Sequence, residues 1–227
     1  MRPGTVRVYA ITNSRTVPVI PGLRAIRVGT LAALVAGTRQ APVPSPANLR
    51  RYHRTIAAIA DALPAALPAR FGTLMTEAEL AVVLDARAPS FSAALRRVRG
   101  RVQMTLRLTG APTRRGRPSP LDAARGALSA SRRADRPPAT PGSGRAYLRA
   151  LAIRDRDISG FDTVRDALRS WIEEERVERR GDVVTVYHLI PRRSSAAYAR
   201  AAARSIPTAG FRGVVSGPFP PYAFSAW

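Results

Sequence analysis

The chain has 227 residues, no cysteine and only two histidines, His53 and His188, which excludes a disulfide framework, a cysteine nucleophile and a zinc site of the usual His/Cys kind. Its hydrophobic share of 45% is that of a folded protein, no apolar run reaches the roughly 18 residues needed to span a bilayer, and the N-terminus lacks a signal peptide's apolar core, so a soluble, cytoplasmic protein is expected. The net charge of +22 comes entirely from arginine and is uneven: sixteen Arg against four acids in residues 1–109, eight against two in 110–145, thirteen against nine in 146–227.

TVRVYAIT (Thr5–Thr12) is β-branched and aromatic and reads as a first strand. A Pro/Gly-rich loop follows, then AIRVGTLAALVAG suggests two short strands meeting around Gly29 and Thr30, or equally one strand with a bulge there. Pro46 and Asn48 open a helix whose stripe is Leu49, Tyr52, Ile56, Ile59 and Leu63, on a 3.6-residue period, with His53 beside it. Pro64 and Pro68 end that helix, and LPARFGTLM runs extended. Thr76 and Glu79 form a capping box ahead of Leu80, Val83 and Leu84. Pro89 and Ser90 start a helix burying Phe91, Leu95 and Val98, and GRVQMTLRLT alternates Val102, Met104, Leu106 and Leu108 with polar residues, as a half-buried strand does.

From Gly110 to Gly144 the periodicity dissolves into Pro, Gly, Arg and Ser, which reads as a flexible basic linker. Beyond it, Asp162 is expected to cap a helix with Val164, Ala167, Leu168, Trp171 and Ile172 on one face, and EEERVERR to be its solvated side. VVTVYHLI is a strand, SSAAYARAAARS a helix, and GFRGVVSGP a last strand halted at Pro218. The organisation expected is α+β: a first domain over 1–109, a linker over 110–145 and a compact second domain over 146–227 that takes in strand 100–109.

No catalytic constellation emerges. A Walker A loop is impossible without lysine, and GxGxxG, GxSxG and HExxH are absent. Asp155 and Asp157, or Glu173 to Glu175, lack an EF-hand frame and read as surface charge. An arginine-rich, ferredoxin-like nucleic-acid-binding protein is the rival from another class, but no strand carries the exposed aromatics of an RNA-recognition motif. An all-arginine, alanine- and proline-heavy chain is what a GC-rich genome tends to write, and nucleic acid is expected only nonspecifically at low salt.

Three stretches carry a resemblance: LPARFGT after the histidine-bearing helix, GRAYL at Gly144–Leu148, and the closing SGPFPPYAF. In this order they are similar to the gas vesicle protein F/L family, which they resemble over nearly the whole chain. Ala69 stands where a larger apolar residue is common and Phe219 where tryptophan is more usual. The resemblance implies a non-enzymatic accessory protein of gas vesicle assembly, cytoplasmic before assembly and part of the gas vesicle after it. It also implies two α+β domains, the second a modified ferredoxin-like unit, and no cofactor. The partners implied are the hydrophobic major shell protein, whose aggregation the chain would limit, and other accessory proteins. The motif residues carried over are Arg70, Phe71, Gly72, Thr73, Tyr147, Gly217, Pro218, Phe219, Pro220, Pro221 and Tyr222.

Two readings of the tail stand open. Phe219, Tyr222 and Phe224 can pack back as a clasp between the domains, stiffened by Pro220 and Pro221, each ring contributing roughly 1.5–3 kcal/mol. Alternatively some of them stay exposed to receive shell protein. Gly72 is expected to supply a backbone angle or a close approach, Phe71 to be core, and Arg70 to have a carboxylate partner, an intramolecular one in preference to an external one.

Overall fold

The computed structural model describes residues 4–38, 40–110, 158 and 160–225. The basic stretch over 110–145 beyond Gly110, the GRAYL element with Tyr147, and Asp155 and Asp157 lie outside the described residues.

β1 (Thr5–Thr12) is the centre of a first antiparallel sheet, flanked by β3 (Leu31–Gly37), with β2 (Arg24–Val28) outside β3. β2 and β3 form a hairpin around Gly29 and Thr30, with Val28 paired to Leu31. The other side of β1 carries a broken edge, β4 (Leu67–Pro68) and β5 (Leu74–Thr76). α1 (Pro46–Ala62) covers one face. Ser45 caps it, its Oγ accepting from the Asn48 amide at 3.2 Å, and Tyr52, Ile56, Ile59 and Leu63 pack on Ala10 and Leu34. α2 (Glu77–Ala86) and α3 (Ala88–Val98) cover the other face, where Leu80, Leu84, Phe91 and Leu95 meet Val6, Val8, Ile11 and Val35. A register irregularity between Val8 and Ala10 turns both Tyr9 and Ala10 toward α1. Both faces being covered explains why β3 is apolar along its length and why β1 carries apolar residues toward both faces.

The second sheet has the order β7-β8-β6-β9 and is antiparallel throughout. Its strands are β6 (Arg101–Thr109), β7 (Glu174–Arg180), β8 (Val183–Pro191) and β9 (Arg212–Phe219). α4 (Asp162–Leu168) falls between β6 and β7, and α5 (Ser195–Thr208) between β8 and β9. Both helices pack on one face, with Phe161, Val164, Leu168, Tyr198 and Ala202 against Met104, Leu106, Val186 and Ile190. β6, from the first half of the sequence, is therefore a central strand among elements of the second half.

Several expectations are corrected. EEERVERR is not the outer side of a helix: α4 ends at Leu168 and Glu174–Arg180 is the edge strand β7. Its charges suit an edge, where they discourage pairing with another chain. Asp162 is the first residue of α4 rather than a side-chain cap, and it pairs with Arg165 at 2.7 Å. Pro218 does not halt the last strand, because β9 is itself an edge and continues to Phe219 past a residue that lacks an N–H. Leu49 is 45% exposed: it sits one turn before Tyr52 and faces an open cleft rather than the sheet. β6 is not half-buried, since Gln103 and Thr105 are covered as well as their apolar neighbours.

Candidate functional site

The LPARFGT motif is the break in the edge of the first sheet. β4 pairs Leu67 and Pro68 with Ile11 and Ala10, and the Ala69 amide donates to Tyr9 O at 2.8 Å. The chain then turns over Arg70–Thr73, closed by the Thr73 amide donating to Arg70 O at 3.1 Å, before β5 resumes pairing. Gly72 lies at φ +84 in that turn, and a Cβ there would meet no atom within 4 Å, so the requirement is conformational rather than steric. Ala69 is buried and its carbonyl accepts the Tyr52 hydroxyl at 2.8 Å. Burial holds the Tyr52 phenol in its protonated form, raised well above the ordinary tyrosine range. Phe71 is half-buried, edge-on to Tyr52 at 5.3 Å, which in turn stacks on Tyr9 at 5.1 Å. Arg70 departs from expectation. It is exposed and makes no ion pair among the described residues, because the turn lifts it off the sheet edge into the cleft.

The tail runs from the end of β9 back across the gap between the sheets. Phe219 pairs in register with Gln103 and sets its ring edge-on to His53 at 5.7 Å. Pro220 and Pro221 are buried, and the Tyr222 hydroxyl lies 2.8 Å from His53 Nδ1 on α1. Burial raises the Tyr222 pKa, so this hydroxyl keeps its proton. The Ala223 amide donates to Gln103 Oε1 at 2.8 Å, which accounts for a glutamine inside β6. Phe224 is completely buried in the cluster that holds Phe91, Leu95 and Leu189, its carbonyl accepts Arg97 Nη2 at 2.6 Å, and the Arg176 guanidinium lies over its ring at 5.3 Å. Gly217 and Pro218, joined by a cis peptide bond, are exposed and precede these contacts.

Thus the first and last motifs, far apart in sequence, line one cleft of about 580 Å³ bounded by Leu49, Tyr52, Arg70, Phe71, Arg176 and Tyr222. Sequence reasoning missed Gln103, Arg97 and Arg176, which fasten the tail. The only signal available was polar residues at positions where a strand face or a helix end was expected to be featureless.

A second polar group lies inside the other sheet. His188 is fully buried with Nδ1 2.5 Å from the Tyr198 hydroxyl and Nε2 2.8 Å from Glu175 Oε2. Arg165 Nη2 donates to Glu175 Oε1 at 3.1 Å. Burial works to raise the Glu175 pKa, but hydrogen bonds from His188 and Arg165 outweigh it and hold the carboxylate at about 2. Glu173 pairs with Arg101 and Glu174 with Arg97, so the three acids are structural partners of cations. Among the described residues there is no group of three or more potential metal ligands, and no helix is long and apolar enough to cross a membrane.

Fold and site together define an α+β protein in which two helix-covered antiparallel sheets are bridged by a C-terminal aromatic tail. Residues 7–226 match the family model of the gas vesicle synthesis protein GvpL/GvpF, and the chain belongs to that family. It therefore has a gas vesicle-associated role, in a family of gas vesicle structural and assembly proteins. Among solved structures it is similar to the gas vesicle protein GvpF from Anabaena sp. PCC7120, with TM-score 0.68 and 15% identity over 99% of this chain and 97% of that one. It is also similar to the GvpF of Microcystis aeruginosa, with TM-score 0.67 and 13% identity over 98% of this chain and 99% of that one. A comparison with curated proteins gave no match. Neither family nor fold supports the nucleic-acid reading.

Proposed function

We propose that this chain is a non-enzymatic accessory protein of gas vesicle assembly. It binds the hydrophobic major shell protein and limits its self-association before and during nucleation, acting in the cytoplasm and remaining with the vesicle. Other accessory proteins are its further partners. The observation that carries this reading is the family match over nearly the whole chain.

In this reading the chain has two domains, 1–109 and 146–227, linked by the basic stretch 110–145, with β6 lent to the second. The β-α-β-β-α-β succession of β6, α4, β7, β8, α5 and β9 supports reading that second unit as a modified ferredoxin-like sandwich. Arg70, Phe71, Gly72 and Thr73, with Gly217, Pro218, Phe219, Pro220, Pro221 and Tyr222, form the structural and partner-facing seam between the units, and Tyr147 belongs to the same motif set. Contacts from the tail to His53, Gln103 and Arg97 support the clasp role.

The test is co-expression with the major shell protein of the same organism, reading how much shell protein stays soluble and co-elutes in moderate salt. Co-elution is expected. Shell protein that precipitates while this chain stays folded and alone would sink the proposal.

A further inference from the structure

We infer that the cleft beside the tail binds an acidic segment of a partner protein, one carrying an apolar side chain next to its carboxylates. The inference rests on the assembly reading only for the partner being a protein.

The first argument is charge. Arg70 projects into the cleft, exposed and without an ion pair among the described residues. Arg176 lines the same wall and shares one carboxylate, Glu174, at 3.5 Å. An adjoining depression of about 360 Å³ shares His53 and adds Arg50 and Arg54, neither in an ion pair among the described residues. Against these stands Glu178, whose carboxylate already accepts the Tyr187 hydroxyl at 3.1 Å. The local field therefore favours an anion, and a guanidinium fork takes a carboxylate in two parallel hydrogen bonds.

The second argument is shape and polarity. Leu49 presents a large apolar surface, 45% exposed, at the cleft mouth, and Phe71 and Tyr222 continue it inward. At about 580 Å³ the cleft has room for a large side chain and its flanking backbone. A phosphate backbone would leave the apolar wall unused. Carboxylates flanking an apolar anchor use both halves of the lining, with the anchor excluding water from the charge pairs.

The probes are a short fluorescein-labelled peptide of glutamates around a central leucine–tryptophan pair, the same peptide with serines in place of that pair, and an oligothymidylate of equal charge. Binding to the full chain is read by fluorescence anisotropy at physiological ionic strength. The expectation is saturable binding of the first peptide, weakened about tenfold by Arg70→Glu and several-fold by Leu49→Ser, with Arg204→Glu on the far helix as the charge control. Both cleft positions are exposed, so these variants keep the wild-type melting temperature. Equal binding of the serine peptide, or equal loss with Arg204→Glu, would reduce the cleft to nonspecific charge. An oligothymidylate that binds tighter and displaces the peptide would make it a nucleic-acid surface. Shell-protein co-elution is measured on the same preparations. If it persists in the wild type and Arg70→Glu while no peptide binds, the cleft proposal alone fails. If peptide binds and shell protein does not co-elute, the shell-binding proposal fails instead.

Discussion

Phe224 has no exposed surface, and its cluster spans α3 of the first sheet and Leu189 of the second. Truncating such a ring removes the transfer term and leaves a cavity that neighbours on two sheets cannot jointly close. Phe224→Ala is therefore expected to cost about 3–5 kcal/mol of unfolding free energy by urea titration. A loss below about 1 kcal/mol would mean that the ring packs no better than a surface residue. Glu175 shows how charge enters stability. Its folded pKa of about 2 lies below the ordinary glutamate value of 4.5, so its contribution is complete above pH 4.5 and is lost as the pH falls toward 2. The shift corresponds to roughly 3 kcal/mol at most. Between those pH values Glu175→Gln is expected to flatten the pH dependence of the melting temperature, and wild type and variant melting in parallel would refute the assignment. Arg70 was expected to be paired because its sequence neighbours are apolar. That inference failed because only Ala69, just past β4, is buried, while Phe71 is half-buried in the same turn that carries Arg70 outward, and a linear sequence does not show where a strand breaks.

At the scale of elements, helices with caps were the most legible. The TxxE box before α2 is formed in both directions, with the Thr76 amide donating to Glu79 Oε2 at 2.7 Å, because the information is local to four residues. The mistaken element was EEERVERR. Its glutamates and arginines carry helix propensity, yet it forms β7, since pairing of Val177 with Val186 and the rest of the ladder outweighs a small intrinsic preference. The end of β9 shows the same tension. Gly217 sits at φ +123, and a Cβ there would lie 2.8 Å from Gln103 O and 2.9 Å from Met104 Sδ. Gly217→Ala is expected to destabilise by about 1–3 kcal/mol from backbone strain alone. A fully stable alanine variant would show that β9 can leave β6 without cost.

At the scale of the molecule, the tail connects what the linear order separates. His53 and Tyr222 are in contact across 169 positions, and Gln103 and Ala223 across 120. A chain ending at Ser216 is expected to melt well below the full-length protein and to lose amide-exchange protection in α1 and α3 as well as in β6, because Phe224 and Tyr222 reach both sheets. Protection lost only in β6 and β9 would confine the tail to the second sheet. What the sequence by itself determined was whatever is encoded within a few residues: strand and helix periodicities, caps, the absence of cysteine chemistry, and motifs whose order places the chain in its family; the turn at Gly72, inside a stretch expected to run extended, was not among them. Only the tertiary structure decided that LPARFGT and PFPPYAF share a cleft, that Gln103 and Arg97 fasten the tail, and that His188 is buried against Glu175. Those contacts depend on how two sheets pack, and packing is set by surfaces assembled from distant segments, for which a single sequence carries no periodic signal.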